Sequence, residues 1–95
     1  MIKNIEFVGL RILEDDIKKV RVKNDTDVNL YEKGWGYISG GLESCNYKYL
    51  CQGFKCLRLI EKNYPNSKYI FKFYSRARQC NKTLTKYIQK KWNAM

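Results

Sequence analysis

Two residue classes recur every four positions near the C-terminal end of this chain, and that double period admits one local fold. Cys80, Leu84, Ile88 and Trp92 form an apolar row, with Ala77 on the same arc. Arg78, Lys82, Lys86 and Lys90 form a cationic row in step with it. On a helical wheel the two rows fall on roughly opposite faces. One face packs, and the other presents a line of positive charge. Lys91 falls near the edge of the apolar arc and is an exception.

A helix of this kind carries a cost. Like charges at i, i+4 each destabilise a helix by about 0.2–0.5 kcal/mol. Three such pairs occur (Arg78/Lys82, Lys82/Lys86, Lys86/Lys90), and no acid follows Glu61 to offset them. A polyanion would relieve the repulsion. So would acids folded over from the N-terminal half, such as Asp15, Asp16 or Glu32.

The imbalance is regional. Residues 1–45 hold seven Lys/Arg and eight Asp/Glu, whereas residues 46–95 hold twelve Lys/Arg and one acid, Glu61. The whole chain carries a formal charge of +10. A field this one-sided draws in phosphate-bearing or acidic partners and speeds encounter with them. The bland reading is a Lys-rich solubilising surface, but mixed charges would serve solubility as well.

The 95 residues suffice for one domain, residues 1–95, with one modest core. A hydrophobic fraction of 44% beside a charged fraction of 29% fits a folded chain rather than a disordered one. No apolar run approaches a membrane span, and the opening residues lack a signal-peptide pattern. These features place the protein in the cytoplasm, with no membrane partner.

Strand-like alternation marks the N-terminal part. Val8, Leu10 and Ile12 alternate with Gly9 and Arg11, and Val20 and Val22 alternate with Lys19, Arg21 and Lys23. With Glu14, Asp15 and Asp16 between them, the two runs predict a β-hairpin. Asn24 to Asp27 then reads as a turn. A third strand is available at residues 28–30 or 35–39. Glycines at 34, 36, 40 and 41 make that middle segment a mixture of loop and short strand.

Tyr47, Leu50, Cys51, Phe54, Leu57, Ile60 and Tyr64 recur at helical spacing, with Ser44 as the expected N-cap. Gly53 weakens that helix by about 1 kcal/mol relative to Ala. Asn63-Tyr64-Pro65-Asn66 ends it. Residues 68–75 place Tyr69, Phe71 and Phe73 on one side and Ile70 and Tyr74 on the other, which reads as a buried strand. The expected fold is α+β: a small antiparallel sheet begun by the N-terminal hairpin, with two helices packed on one face, in the order β-β-(β)-α-β-α.

Catalysis is not the expected role: a His-free nuclease built on Lys, Arg and Tyr is the remaining catalytic option, and no spacing selects particular residues for it. There is no His, so Cys-His and Ser-His-Asp arrangements are excluded and the usual proton shuttle is missing. Cys45, Cys51, Cys56 and Cys80 lack the tight pair that opens a structural zinc site. They read best as buried free thiols, which behave as small hydrophobes. Gly34-Trp35-Gly36-Tyr37 has neither the glycine spacing nor the following Lys-Ser/Thr of a phosphate-cradling loop. Neither a metal nor a cofactor is expected.

Aromatics interleaved with cations have two readings. Tyr69, Phe71 and Phe73 beside Lys68 and Lys72 match a base-stacking strand. In so short a chain those rings are needed for the core, which is the preferred reading. Tyr47, Tyr49, Tyr87 and Trp35 are the better candidates for exposed contact.

The expected function is that of a small, basic, non-catalytic protein that contacts nucleic acid or a nucleoprotein. Arg76, Arg78, Lys82, Lys86 and Lys90 would meet phosphates, joined by Lys48, Lys55 and Lys62, which repeat every seven residues. The alternative is an anti-defence inhibitor from a phage or mobile element, comparable to an anti-CRISPR. It would block the nucleic-acid-binding surface of a host nuclease complex. Ile, Lys, Asn and Tyr make up 38 of 95 residues, a bias that suits the AT-rich genomes from which such short chains often come.

Overall fold

The computed structural model describes the backbone of residues 4–93 and the side chains of residues 4–82. Its elements run β1 (Asn4–Phe7), β2 (Leu10–Leu13), α1 (Glu14–Lys19), α2 (Asp27–Ser44), α3 (Tyr47–Asn63) and α4 (Lys68–Asn93). A two-stranded antiparallel sheet with helices makes it α+β in the broad sense. The order among the described residues is β-β-α-α-α-α, not β-β-(β)-α-β-α.

The hairpin is present but shorter and earlier than the alternation predicts. Phe7 pairs with Leu10 and Asn4 with Leu13 across a two-residue turn, Val8-Gly9. Both turn residues have positive φ, 44° at Val8 and 79° at Gly9, as a type I′ hairpin requires. A β-branched residue rarely adopts such a φ. Here Val8 is fully buried, and its N–H donates to Asn81 Oδ1.

Residues 14–16, expected to turn the hairpin, instead open α1. Glu14, Asp15 and Asp16 sit in its first turn and Lys18 and Lys19 in its last, which complements the helix dipole. Val20 and Val22 follow as irregular chain with half-buried side chains packed against the core. Their alternation marks burial without a strand partner.

The predicted mixture of loop and third strand at residues 28–41 is one helix, α2. Thr26 caps it, its Oγ1 accepting from Asn29 N–H at 3.3 Å. It ends with Cys45 in the left-handed region at φ 54°. The glycines are the reason the helix works where it lies. A Cβ on Gly34 would stand 2.9 Å from Phe73 and 3.1 Å from the Gly53 carbonyl. A Cβ on Gly53 would stand 2.4 Å from Ile38. Bare backbone on both helices lets α2 and α3 approach closely as an antiparallel pair joined by Cys45-Asn46.

α3 follows its predicted period, with Leu50, Cys51, Phe54, Leu57 and Ile60 buried. Its cap is Asn46, whose Oδ1 accepts from Tyr49 N–H at 3.2 Å, rather than Ser44, which ends α2. The expected strand at residues 68–75 is the first third of α4. Phe73 lies at the centre of the core, in ring contact with Tyr31, Trp35 and Phe54. Phe7 completes the cluster against Trp35 and Phe54.

A cationic hub locks α1, α3 and α4 together. Arg58 donates to both carboxylate oxygens of Glu14 at 3.0–3.2 Å and to Glu61 Oε1 at 2.7 Å. Tyr74 Oη accepts from Arg58 at 3.3 Å and donates to Glu61 Oε2 at 2.9 Å. Burial opposes the charge on Arg58, but the bonds to Glu14 and Glu61 outweigh it and hold the guanidinium protonated.

Candidate nucleic-acid interface

Up to Lys82, α4 divides its residues between two faces as the four-residue period demands. Phe73 is buried, and Tyr74, Ala77 and Cys80 pack half-buried against the core. Arg78 and Lys82 are exposed on the other face, one turn apart. Arg78 leans toward Ser75, its Nη2 donating to Ser75 Oγ at 3.4 Å. Ser75, Arg78, Gln79 and Lys82 line a shallow depression on this face. Lys86 and Lys90 continue the row along the helix backbone, but their side chains lie outside the described residues, as do those of Leu84, Tyr87, Ile88, Lys91 and Trp92.

Several early acids have partners of their own. Among the described residues the ion pairs are Arg58–Glu14 and Arg58–Glu61. Asp16 accepts from Tyr47 Oη at 2.8 Å. Asp15 and Glu32 are exposed and make no ion pair among the described residues. Arg78 and Lys82 make no ion pair with any described acid.

The second predicted row sits on α3. Lys48 and Lys62 are exposed and Lys55 is half-buried, all on the side of α3 away from Leu57. No hydrogen bond, ion pair or ring contact joins this row to Arg78 and Lys82 among the described residues. Arg76 behaves differently from both. It is exposed, yet its guanidinium lies over the Trp35 ring at 4.6 Å from the centroid, so it also covers the core.

Two aromatic expectations are reversed. Trp35, expected as an exposed contact, is 4% exposed because α2 turns it toward Phe7 and Phe73. Phe71, expected in the core with Tyr69 and Phe73, is 70% exposed. In a helix, residues two apart point about 200° apart, so Phe71 and Phe73 cannot share a face. Tyr69 is half-buried beneath the Lys68 and Lys72 ammonium groups, at 5.5 and 5.3 Å from its centroid. Tyr49 is 42% exposed, as expected. Tyr47 is half-buried, its hydroxyl accepting from Leu13 N–H and donating to Asp16.

All four cysteines are free, with Cys51 and Cys56 buried and Cys45 and Cys80 half-buried. Burial pushes the Cys56 thiol up to about 11, and it raises Cys51 and Cys80 as well. Such thiols stay protonated near neutral pH and are poor nucleophiles. No group of three or more Cys, Asp or Glu among the described residues is placed to hold a metal ion. No helix among the described residues is long and apolar enough to cross a membrane. The described outer face of α4 offers two exposed cations, Arg78 and Lys82. The chain matches no known protein family, no curated protein and no solved structure.

Proposed function

We propose that this protein binds nucleic acid without catalysis, through the outer face of α4. Arg78 and Lys82 meet phosphates there, and Lys86 and Lys90 extend the row along the same helix. The observation that carries this reading is the exposure of Arg78 and Lys82 opposite Phe73, with no described acid paired to either. Lys48, Lys55, Lys62 and Arg76 add to the long-range attraction that guides a polyanion in. Contact with phosphates alone positions a strand without reading its sequence.

The test is the salt dependence of binding. Four neutralised phosphates give a log–log slope of about −3.6 on duplex DNA or about −2.8 on a single strand. The double variant Arg78→Ala/Lys82→Ala is expected to lower the magnitude of that slope by about 1.4–1.8. A wild-type slope near zero overturns the reading. A nuclease-resistant complex with one host protein, found together with a flat slope, would assign this face to an inhibitor instead.

A further inference from the structure

Phe71 stands in the wrong place for a core residue and the right place for a ligand contact. Phenylalanine is among the residue types most often buried, yet this one is 70% exposed. A lone apolar residue on a surface is ordinary; its company here is not. Lys68, Lys72, Arg78 and Lys82 are all exposed on the same helix; Lys68 and Lys72 reach over Tyr69 beside it, and Arg78 and Lys82 follow on the Phe71 side. Ser75 follows one turn on, and Arg78 and Lys82 two and three turns on, so ring and cations form one stripe about 16 Å long. No acid occurs in α4 to draw these cations inward.

We propose that Phe71 stacks on an unpaired base, making the outer face of α4 a site for single-stranded nucleic acid. This rests on the nucleic-acid reading above and narrows its substrate. A single strand presents phosphates and bases alternately along one chain, and the stripe presents cations and a ring along one helix. A duplex keeps its base faces within the stack and offers only edges. Phenylalanine has no donor or acceptor with which to read an edge, so its ring gains most from a base that is already free.

The experiment measures binding of labelled oligothymidylate, a mixed-sequence duplex of equal length, and an abasic strand that keeps the phosphates but lacks the bases. Phe71→Ala is expected to weaken oligothymidylate binding by about 5- to 150-fold, the range for one lost stacked base. It should leave duplex and abasic-strand binding unchanged. Phe71→Trp should retain or strengthen oligothymidylate binding, while Phe71→Leu, apolar but without a π-face, should behave like the Ala variant. Far-ultraviolet circular dichroism checks that each variant is folded, which an exposed position favours. Equal oligothymidylate affinity for wild type and Phe71→Ala overturns the stacking proposal. If the salt slope persists in that case, the broader nucleic-acid reading survives it. Full retention by Phe71→Leu also overturns it, because the site would then be an apolar contact, such as a pocket on a protein.

Discussion

Arg58 shows how little of a side chain's role its own neighbours in sequence disclose. Its partner Glu14 lies 44 positions away, and neither residue belongs to a periodic row. The side chains of Arg58 and Glu14 are 21% and 15% exposed, so the pair is largely withdrawn from water. Arg58→Met leaves Glu14 and Glu61 facing one another without a cation. It is expected to cost about 2–4 kcal/mol, between a charged hydrogen bond and a fully buried ion pair. Urea unfolding at neutral pH measures this, and adding Glu14→Gln should recover part of the loss. Phe71 is legible in a different sense: its aromatic character stands out, but the alternation of Tyr69, Phe71 and Phe73 suggests the wrong period. The competing signal was available, because Tyr69, Phe73, Ala77 and Cys80 continue, at steps of three and four, into the apolar row of the last helix.

At the scale of elements, the clearest periodicities survived and the glycine-rich segment did not. α3 and the later part of α4 were readable because their apolar residues repeat along one stripe. α2 was not, because glycine carries a helix penalty of about 1 kcal/mol and four of them fall within it. That penalty is offset by contact that only bare backbone allows. The glycines are therefore unequal, and substitution should separate them. Gly53→Ala, on α3 opposite Gly34, pushes Ile38 and the Gly34 carbonyl of α2 away, and is expected to destabilise by about 1–3 kcal/mol through overpacking. Gly36→Ala meets nothing within 4 Å and should stabilise the helix by about 0.5–1 kcal/mol. Thermal or urea unfolding of the two variants should move in opposite directions.

The whole molecule has a stability that should fall in alkali. Burial raises the Tyr47 phenol to about 12, with its bond to Asp16 adding to the effect. Burial likewise raises Tyr74, Cys51, Cys56 and Cys80. Each group holds its proton more tightly folded than unfolded. Its contribution is complete below the unfolded value, near 9 for the thiols and 10 for the phenols, and is lost as pH rises through the folded one. The unfolding free energy is expected to be level between about pH 7 and 8 with respect to these groups and to decline from about pH 9 to 12. Tyr47→Phe/Tyr74→Phe should flatten the upper part of that decline, as urea midpoints across the pH range would reveal. Of the regional excess of positive charge in the sequence, Arg78 and Lys82 make no ion pair with a described acid.

Two hydrogen bonds from one residue of α4 hold the N-terminal hairpin. Asn81, on α4, accepts from Val8 N–H in the hairpin turn and donates to the Glu6 carbonyl at 3.3 Å, across 73 and 75 positions. A two-stranded hairpin is marginal by itself in water. On a ribosome, β1 and β2 emerge before α2, α3 and α4, so Asn81 is the last of their partners to arrive. The hairpin is therefore covered in stages, Phe7 by Trp35 of α2 and Phe54 of α3, and its turn is fastened only when Asn81 of α4 is in place.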